Sequence, residues 1–344
     1  MIIKEYSDIR PLRLKWQQIY DSSPSILTPY ASYDFVEPCI KKLGYLEKNR
    51  HLKAYVYFCS DEAKEIIIPL VKDKTKKILA DLSSYTPTDY FEVISNSKDK
   101  KFIIDSLIEI LHFNKGYSYQ LAEINEKSLL YDIFYHGQKP SNVCVKINIP
   151  ENNIYESIID KHQRQNIRTA YNHIKRDNVK LSLQKYSVKD NFVIPHSVFN
   201  KCLYILFARR VSKRRNENWA KKLRIMFRTA RMIVNRPLKD VFRNSDMAAI
   251  FVLSFNNKPI AFLMGGYNRD MSIFYVNVVS FSPAHNKYSP GIILIHHTVN
   301  RLIEEGVKIM DLTRGTEYYK YAMGGVEHYN YSFTLDYETL KQIL

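Results

Sequence analysis

Glycine, tryptophan and cysteine are scarce in this chain, and each scarcity excludes something. Ten glycines and 13 prolines in 344 residues rule out collagen-like and low-complexity chains. Four cysteines, Cys39, Cys59, Cys144 and Cys202, are widely separated and form no CxxC pair. They are too few for a disulfide scaffold and wrongly spaced for zinc, so no metal site is expected. No apolar run approaches the roughly 18–20 residues of a membrane span. Residues 1–8, Met-Ile-Ile-Lys-Glu-Tyr-Ser-Asp, lack the long apolar stretch of a secretion signal, so a cytoplasmic, reducing location is expected.

What remains is ordinary globular material. Hydrophobic residues make up 45% and charged residues 25%, which excludes a disordered chain and allows a sizeable core without staples. The length suits two domains of about 150–190 residues. Tyrosine (26) and phenylalanine (17) are plentiful, as sheet-rich packing favours.

Acidic residues are short in one half only. Residues 1–150 carry 21 Lys and Arg against 19 Asp and Glu, whereas residues 151–344 carry 30 against 16. Segment 209–236 alone has eleven basic residues and one acid, Glu217, and so supplies +10 of the chain's +16. Such a field attracts an anionic ligand, a tRNA or an acidic membrane surface. Its apolar residues also recur at helical spacing, so the solvated face of a helix explains it equally well.

Residues 1–150 read as mixed α/β. Helices are expected over residues 9–20, from Ser32 (as its N-cap) through Leu43, and over 101–113. Strands are expected over 52–58, 65–71, 117–122 and 143–149. Residues 150–153, Pro-Glu-Asn-Asn, form the expected boundary. A long helix over 153–176, a strand over 179–184 and the basic block come next. Three consecutive strands follow, over 249–255, 258–267 and 272–280. A turn-rich loop, a helix over 292–305 and a strand over 308–312 complete the pattern. Seven of the ten glycines lie past residue 260, where a backbone must turn sharply or approach a ligand.

Strand, tight loop and helix start is an anion-binding arrangement, because first-turn N–H groups and the helix dipole face the loop. Here that start falls at Ser289-Pro290-Gly291, and residues 311–320, Asp-Leu-Thr-Arg-Gly-Thr-Glu-Tyr-Tyr-Lys, follow the next strand. A carboxylate, an arginine and a lysine on a glycine-containing loop beside that helix make a plausible polar cleft.

Four stretches together resemble the CelD/BcsL-like acyltransferases, a branch of the Gcn5-related N-acetyltransferase (GNAT) superfamily related to the Fem-type peptidyltransferases. They are Trp16 with residues 29–35 (Pro-Tyr-Ala-Ser-Tyr-Asp-Phe), Asp89-Tyr90, residues 162–168 (His-Gln-Arg-Gln-Asn-Ile-Arg), and Tyr288-Ser289-Pro290-Gly291 with Asp311, Gly315, Glu317, Tyr319 and Lys320. The resemblance implies an α/β (α+β) fold of two tandem GNAT-like domains, 1–150 and 151–344, each a mixed, mostly antiparallel sheet flanked by helices. It implies an acyltransferase taking its acyl group from acyl-CoA, with Val278, Tyr288, Ser289, Pro290, Gly291 and Ile292 at the donor. The acceptor would be an amine or hydroxyl of a cell-envelope polysaccharide or its sugar-nucleotide precursor. A Fem-type aminoacyl-tRNA transferase and a non-catalytic polyanion-binding module are the alternatives. The chain departs from the usual pyrophosphate loop in one glycine, and Pro290 donates no N–H.

Lys320, Asp311 and Glu317 are the catalytic candidates, and Asp89, Tyr90, Arg164, Arg168 and Tyr319 the substrate-binding ones. Each has a plainer reading. Lys320 would be an exposed lysine whose removal costs less than about 0.5 kcal/mol. Asp311 would cap the turn after its strand, with a similar role for Glu317. Asp89-Tyr90 would form a turn, and Arg164 and Arg168, four apart on one helix face, would be salt-bridged structure. His296 and His297 are expected in the core or on the surface of the last long helix, not in catalysis.

Overall fold

The computed structural model describes residues 1–44, 51–86, 88–213 and 237–344, together with Asn218, Lys221 and Leu223. Most of the basic segment 209–236 therefore lies outside the described residues. Its beginning, Arg209 to Lys213, lies within them.

In the first half, β1 (Ile2–Tyr6), α1 (Arg13–Ser22) and α2 (Tyr33–Gly44) precede β2 (Leu52–Asp61) and β3 (Lys64–Asp73). The chain continues through β4 (Ile78–Asp81), β5 (Ile94–Ser95), α3 (Lys100–Phe113), β6 (Ser118–Asn125), α4 (Leu129–Phe134) and β7 (Asn142–Asn148). The second half runs α5 (Lys161–Arg176), β8 (Leu181–Ser187), α6 (His196–Ser212), α7 (Pro237–Asn244), β9 (Ala248–Phe255), β10 (Lys258–Tyr267) and β11 (Ile273–Phe281). It closes with α8 (Pro290–Glu304), β12 (Ile309–Arg314), α9 (Tyr318–Ala322), β13 (Gly325–Leu335) and α10 (Tyr337–Ile343).

Local chemistry explains most boundaries. Asp99 caps α3 through Phe102 N–H, and Asp160 caps α5 through the N–H groups of His162 and Gln163. That second cap starts the helix at residue 161, and residues 155–157 form a 3-10 turn before it. The single long helix expected over 153–176 is thus divided by its own N-cap. Ser32 departs from its expected role as well. Its hydroxyl donates to Pro29 O at 2.7 Å and so is turned back on the preceding turn. The hairpin between β2 and β3 is tighter than expected, with Glu62 in the left-handed region (φ 53°).

Two compact units emerge, Met1–Cys144 with His328–Leu344, and Val145–Glu327. Each has its own core. In the first, Tyr57, Ile66, Leu79, Ile103, Leu107 and Tyr119 pack with Phe333 and Leu335. In the second, Phe251, Leu263, Phe274, Leu294, Val299 and Met310 are all fully buried. An expected second domain running to residue 344 needs correcting on this point. The last strand belongs to the first unit because β13 pairs antiparallel with β6, Phe333 facing Leu121 and Leu335 facing Tyr119.

The two units repeat one plan. In the first, β1, β2, β3 and β4 form an antiparallel run, and α3 leads to β6, which pairs parallel with β4. In the second, β8, β9, β10 and β11 do the same, and α8 leads to β12, parallel to β11. The parallel pairing is three residues long in both, Ile78–Ala80 with Ser118–Gln120 and Ile273–Tyr275 with Ile309–Asp311. Each unit is thus a mixed, mostly antiparallel sheet flanked by helices, as expected. Among the described residues no helix is long and apolar enough to cross a membrane, and no cluster of His, Cys, Asp or Glu is suited to a metal ion.

Candidate active site between β11 and β12

Beyond Tyr275 and Asp311 the two parallel strands have no further paired residues, although β11 continues to Phe281 and β12 to Arg314. The cause lies partly in β11. Its register with β10 skips Asn277, since Met264 faces Val278 while Gly265 faces Val276. A bulge of this kind bends its strand and increases the twist. Gly265 permits it, because a Cβ there would lie 2.3 Å from Tyr275 O and 2.6 Å from the Phe274 ring.

Side chains bridge the divergence near its apex. Thr313, in the left-handed region (φ 54°), donates its N–H to Asp311 Oδ1 at 2.7 Å and its hydroxyl to Val276 O at 3.0 Å. Asp311 is therefore buried and turned into its own strand end. Lys320 is 2% exposed. Its ammonium lies 3.0, 3.2, 2.7 and 3.1 Å from the carbonyl oxygens of Leu312, Thr313, Arg314 and Gly315, with Glu317 at 3.3 Å. This overturns the reading of Lys320 as an exposed lysine. A cation inside a ring of carbonyls fixes the course of the chain from β12 into α9. Glu317 remains largely exposed, before the first turn of α9. Its carboxylate fills the space where a Cβ on Gly315 (φ 109°) would fall, at 2.5 Å.

Two adjoining grooves open here. The polar one, about 420 Å³, runs along Val276–Ser280 and Leu312–Arg314 and is rimmed by Arg209, Arg210, Lys213, Glu317 and Lys320. The apolar one, about 340 Å³, lies at the start of α8 among Phe281, Pro290, Gly291, Ile292 and Ile295. Arg209, Val279 and Tyr319 line both. The Arg209 guanidinium donates to Val279 O at 2.9 Å and lies 4.1 Å over the Phe281 ring. Burial lowers its pKa from the ordinary guanidinium value. Burial also raises the Tyr319 phenol to about 12, with the Glu317 carboxylate adding to the shift and Arg209 opposing it. Tyr319 thus keeps its proton at neutral pH.

Of the donor candidates, Ser289, Pro290, Gly291 and Ile292 line the apolar groove and Val278 the polar one. Tyr288 points elsewhere, its hydroxyl donating to Asp177 Oδ2 at 2.9 Å beneath Phe255. Tyr319, Lys320 and Glu317 reach the polar groove. Arg164 and Arg168 share a face, as their spacing requires, but line a separate groove with Glu156, Lys161 and His162. Asp89 and Tyr90 belong to the first unit. There Tyr90 stacks on His328 with ring centroids 6.3 Å apart, and Asn330 donates to Asp89 O at 3.3 Å. His296 and His297 hydrogen-bond with Tyr171, and His296 also with Glu156. In the sequence Arg209 stands only as the start of a basic run. Phe281, one residue past the expected end of its strand, gives this arginine its flat partner.

Residues 204–321 match the profile of the acetyltransferase (GNAT) domain family. The matched stretch, about a third of the chain, is thus similar to a GNAT acetyltransferase domain. Among curated proteins no relative matches the sequence. Solved structures share the fold over nearly the whole chain. A conserved protein of unknown function from Bacteroides thetaiotaomicron is 12% identical, with 97% of this chain and 100% of that one covered and a TM-score of 0.57. The C-terminal domain (DUF2156) of a putative lysylphosphatidylglycerol synthetase from Agrobacterium fabrum is 10% identical, covering 96% and 95%, at 0.54. L-PGS from Bacillus licheniformis is 13% identical, covering 94% and 91%, at 0.52. The GNAT-like match contains β11, α8 and β12, and with them both grooves.

Proposed function

We propose that the protein is an acyltransferase working in the groove between β11 and β12 of its second unit. It moves an acyl group from an activated donor to an amine or hydroxyl of a cell-envelope polysaccharide or its sugar precursor. The observation that carries this reading is the parting of β11 and β12 after three paired residues, around a bulge and beside a cationic rim.

Among the described residues of the first unit, the strands are tied together just past their parallel pairing. After its own three-residue parallel pairing, Asp81 accepts Ala122 N–H at 2.8 Å across the gap, and Ser83 and Ser84 also donate to its carboxyl group. The buried Asp81 carboxyl group thus links β4 to β6 just past their paired residues.

In the second unit Val279 directs its carbonyl at Arg209, out of the ladder with β10. In an antiparallel pair, a residue's N–H points the same way as its carbonyl, so Val279 N–H faces the groove. The Tyr319 hydroxyl has no hydrogen-bond partner among the described residues and, with its raised pKa, remains a donor. Both residues line the groove, and these two groups are the proposed donors to a tetrahedral oxyanion. The acceptor's lone pair attacks the acyl carbon, the bond to the leaving group breaks, and the acceptor's proton leaves through Glu317 or water. Lys320 touches no reacting atom. It is a positioning residue that holds residues 312–315.

Acyl-CoA is the donor the GNAT resemblance implies, but the start of α8 fits its diphosphate poorly. Pro290 has no N–H, and the N–H groups of Ile292 and Ile293 donate to Ser289 O at 3.0 and 3.1 Å. Gly291 N–H alone is left in the first turn. The cationic rim of Arg209, Arg210, Lys213 and Arg314 suits the Fem-type alternative, an aminoacyl-tRNA donor, as well as a phosphate-bearing acceptor. A thermal-shift panel of CoA, short acyl-CoAs, nucleotide sugars and tRNA separates these, since a ligand of the folded state raises its stability by mass action. Transfer assays follow from the hits. Tyr319→Phe is expected to lower kcat and kcat/KM together by about a hundredfold, as loss of one oxyanion donor does. Wild-type kinetics in that variant, or no turnover with any acyl donor, would remove the reading.

A further inference from the structure

We propose that the apolar groove at the start of α8 holds the aliphatic chain of the transferred acyl group, so that the protein selects longer acyl chains over acetyl. This rests on the acyltransferase reading and deepens it.

The groove is poorly suited to a phosphate. A helix start recruits phosphate through its first free N–H groups, and here only Gly291 supplies one. The Ser289 carbonyl, at the N-cap, takes both the Ile292 and Ile293 N–H groups. The walls are mostly hydrocarbon, from Val279, Phe281, Pro290, Ile292 and Ile295, with Asn286 and Ser289 as the polar members beside the shared Arg209 and Tyr319. The Phe281 ring is closely packed. Arg209 lies over it, and a Cβ on Gly291 would come within 2.8 Å of it. The ring is therefore a fixed wall.

The occupant must also suit what adjoins the groove. Charge collects on the other arm, at Arg210, Lys213 and Arg314, and the arms meet at Arg209, Val279 and Tyr319. An apolar arm joined to a cationic arm at the proposed oxyanion donors fits a molecule with a hydrocarbon tail, a carbonyl at the junction and a polar head. The apolar arm's 340 Å³ accommodates on the order of ten groups of water size, about 30 Å³ each, which is an acyl chain of medium length.

The test uses the full chain and acyl thioesters of N-acetylcysteamine, which carry no nucleotide, from acetyl through butyryl and hexanoyl to octanoyl. Each methylene entering the groove should tighten binding about fourfold, or about two-hundredfold from butyryl to octanoyl, as measured by calorimetry. Ile292→Trp, at a half-buried wall position, should flatten this series, and Ile295→Trp should do so from the buried side. If Ile295→Trp does not fold, Ile292→Trp still decides. A flat series in the parent protein overturns the proposal, and so does a steep series that survives Ile292→Trp. CoA without an acyl group that binds the parent but not Ile292→Trp would put the pantetheine arm in the groove and overturn it too. The two readings fail separately. Turnover of acetyl donors with no chain-length dependence sinks the groove alone, whereas chain-dependent binding without transfer to any amine or hydroxyl sinks the acyltransferase.

Discussion

Replacing Lys320 by methionine keeps the length of the side chain and removes its charge, which isolates what the ammonium does. Four backbone carbonyls lie within 3.2 Å of it, and those of Leu312 and Thr313 belong to buried residues. Hydrogen bonds to a charged group contribute roughly 1.5–3 kcal/mol each, and a buried acceptor left unpaired costs about 1–3 kcal/mol. The ammonium has three protons for four acceptors, and its own burial opposes part of the gain. Breaking such a cluster from one side costs about 3–5 kcal/mol, a large share of the roughly 5–15 kcal/mol available to a domain. For a unit the size of Val145–Glu327, each kcal/mol lowers Tm by about 2–4 °C, so a drop of roughly 6–20 °C is expected. Chemical denaturation measures the energy directly. Hydrogen exchange should locate the damage at residues 312–320, where opening becomes easier than in the rest of the unit. Stability within about 0.5 kcal/mol of the parent would refute the argument and return Lys320 to the class of exposed lysines.

Three further outcomes are expected. Gly265→Ala places a Cβ 2.3 Å from Tyr275 O, so the bulge must rearrange, at a cost of about 2 kcal/mol or more in chemical denaturation. Glu92 accepts the Thr28 N–H and hydroxyl at 2.7 and 2.6 Å, yet burial raises its pKa from 4.5 to about 7. Its folded pKa exceeds its unfolded one, so its contribution is complete below pH 4.5 and lost as pH rises through 7. Between those values the parent should lose on the order of 3 kcal/mol relative to Glu92→Gln, and parallel stability curves for the two would refute the assignment. Deleting residues 325–344 removes Tyr331, Phe333, Leu335 and Leu340 from the first core. At about 1.5–3 kcal/mol per buried side chain the loss is about 6–12 kcal/mol, so residues 1–144 should become susceptible to proteolysis. A protease-resistant first unit in the truncated chain would contradict the pairing of β13 with β6.

Patterns a few residues long were readable from the sequence. Apolar alternation placed β2, β3, β9, β10 and β11, and helical spacing placed α3 and α8, because burial of one face imposes its period on the residues that supply it. The motif around residues 288–320 pointed to the region that holds both grooves, since backbone turns there need glycine and proline whatever surrounds them. Other features depended on contacts between distant residues. Alternation of Tyr331, Phe333 and Leu335 marks a strand, but only the pairing with β6 makes it part of the first unit. Ionic side chains were the least legible. Nothing local distinguishes Lys320, enclosed by carbonyls, from a solvated lysine, or Arg209, held against Phe281 and Val279, from its neighbours in a basic run. The environment of a charge is set by whatever the fold brings around it, and for these two residues that means segments up to 72 positions away.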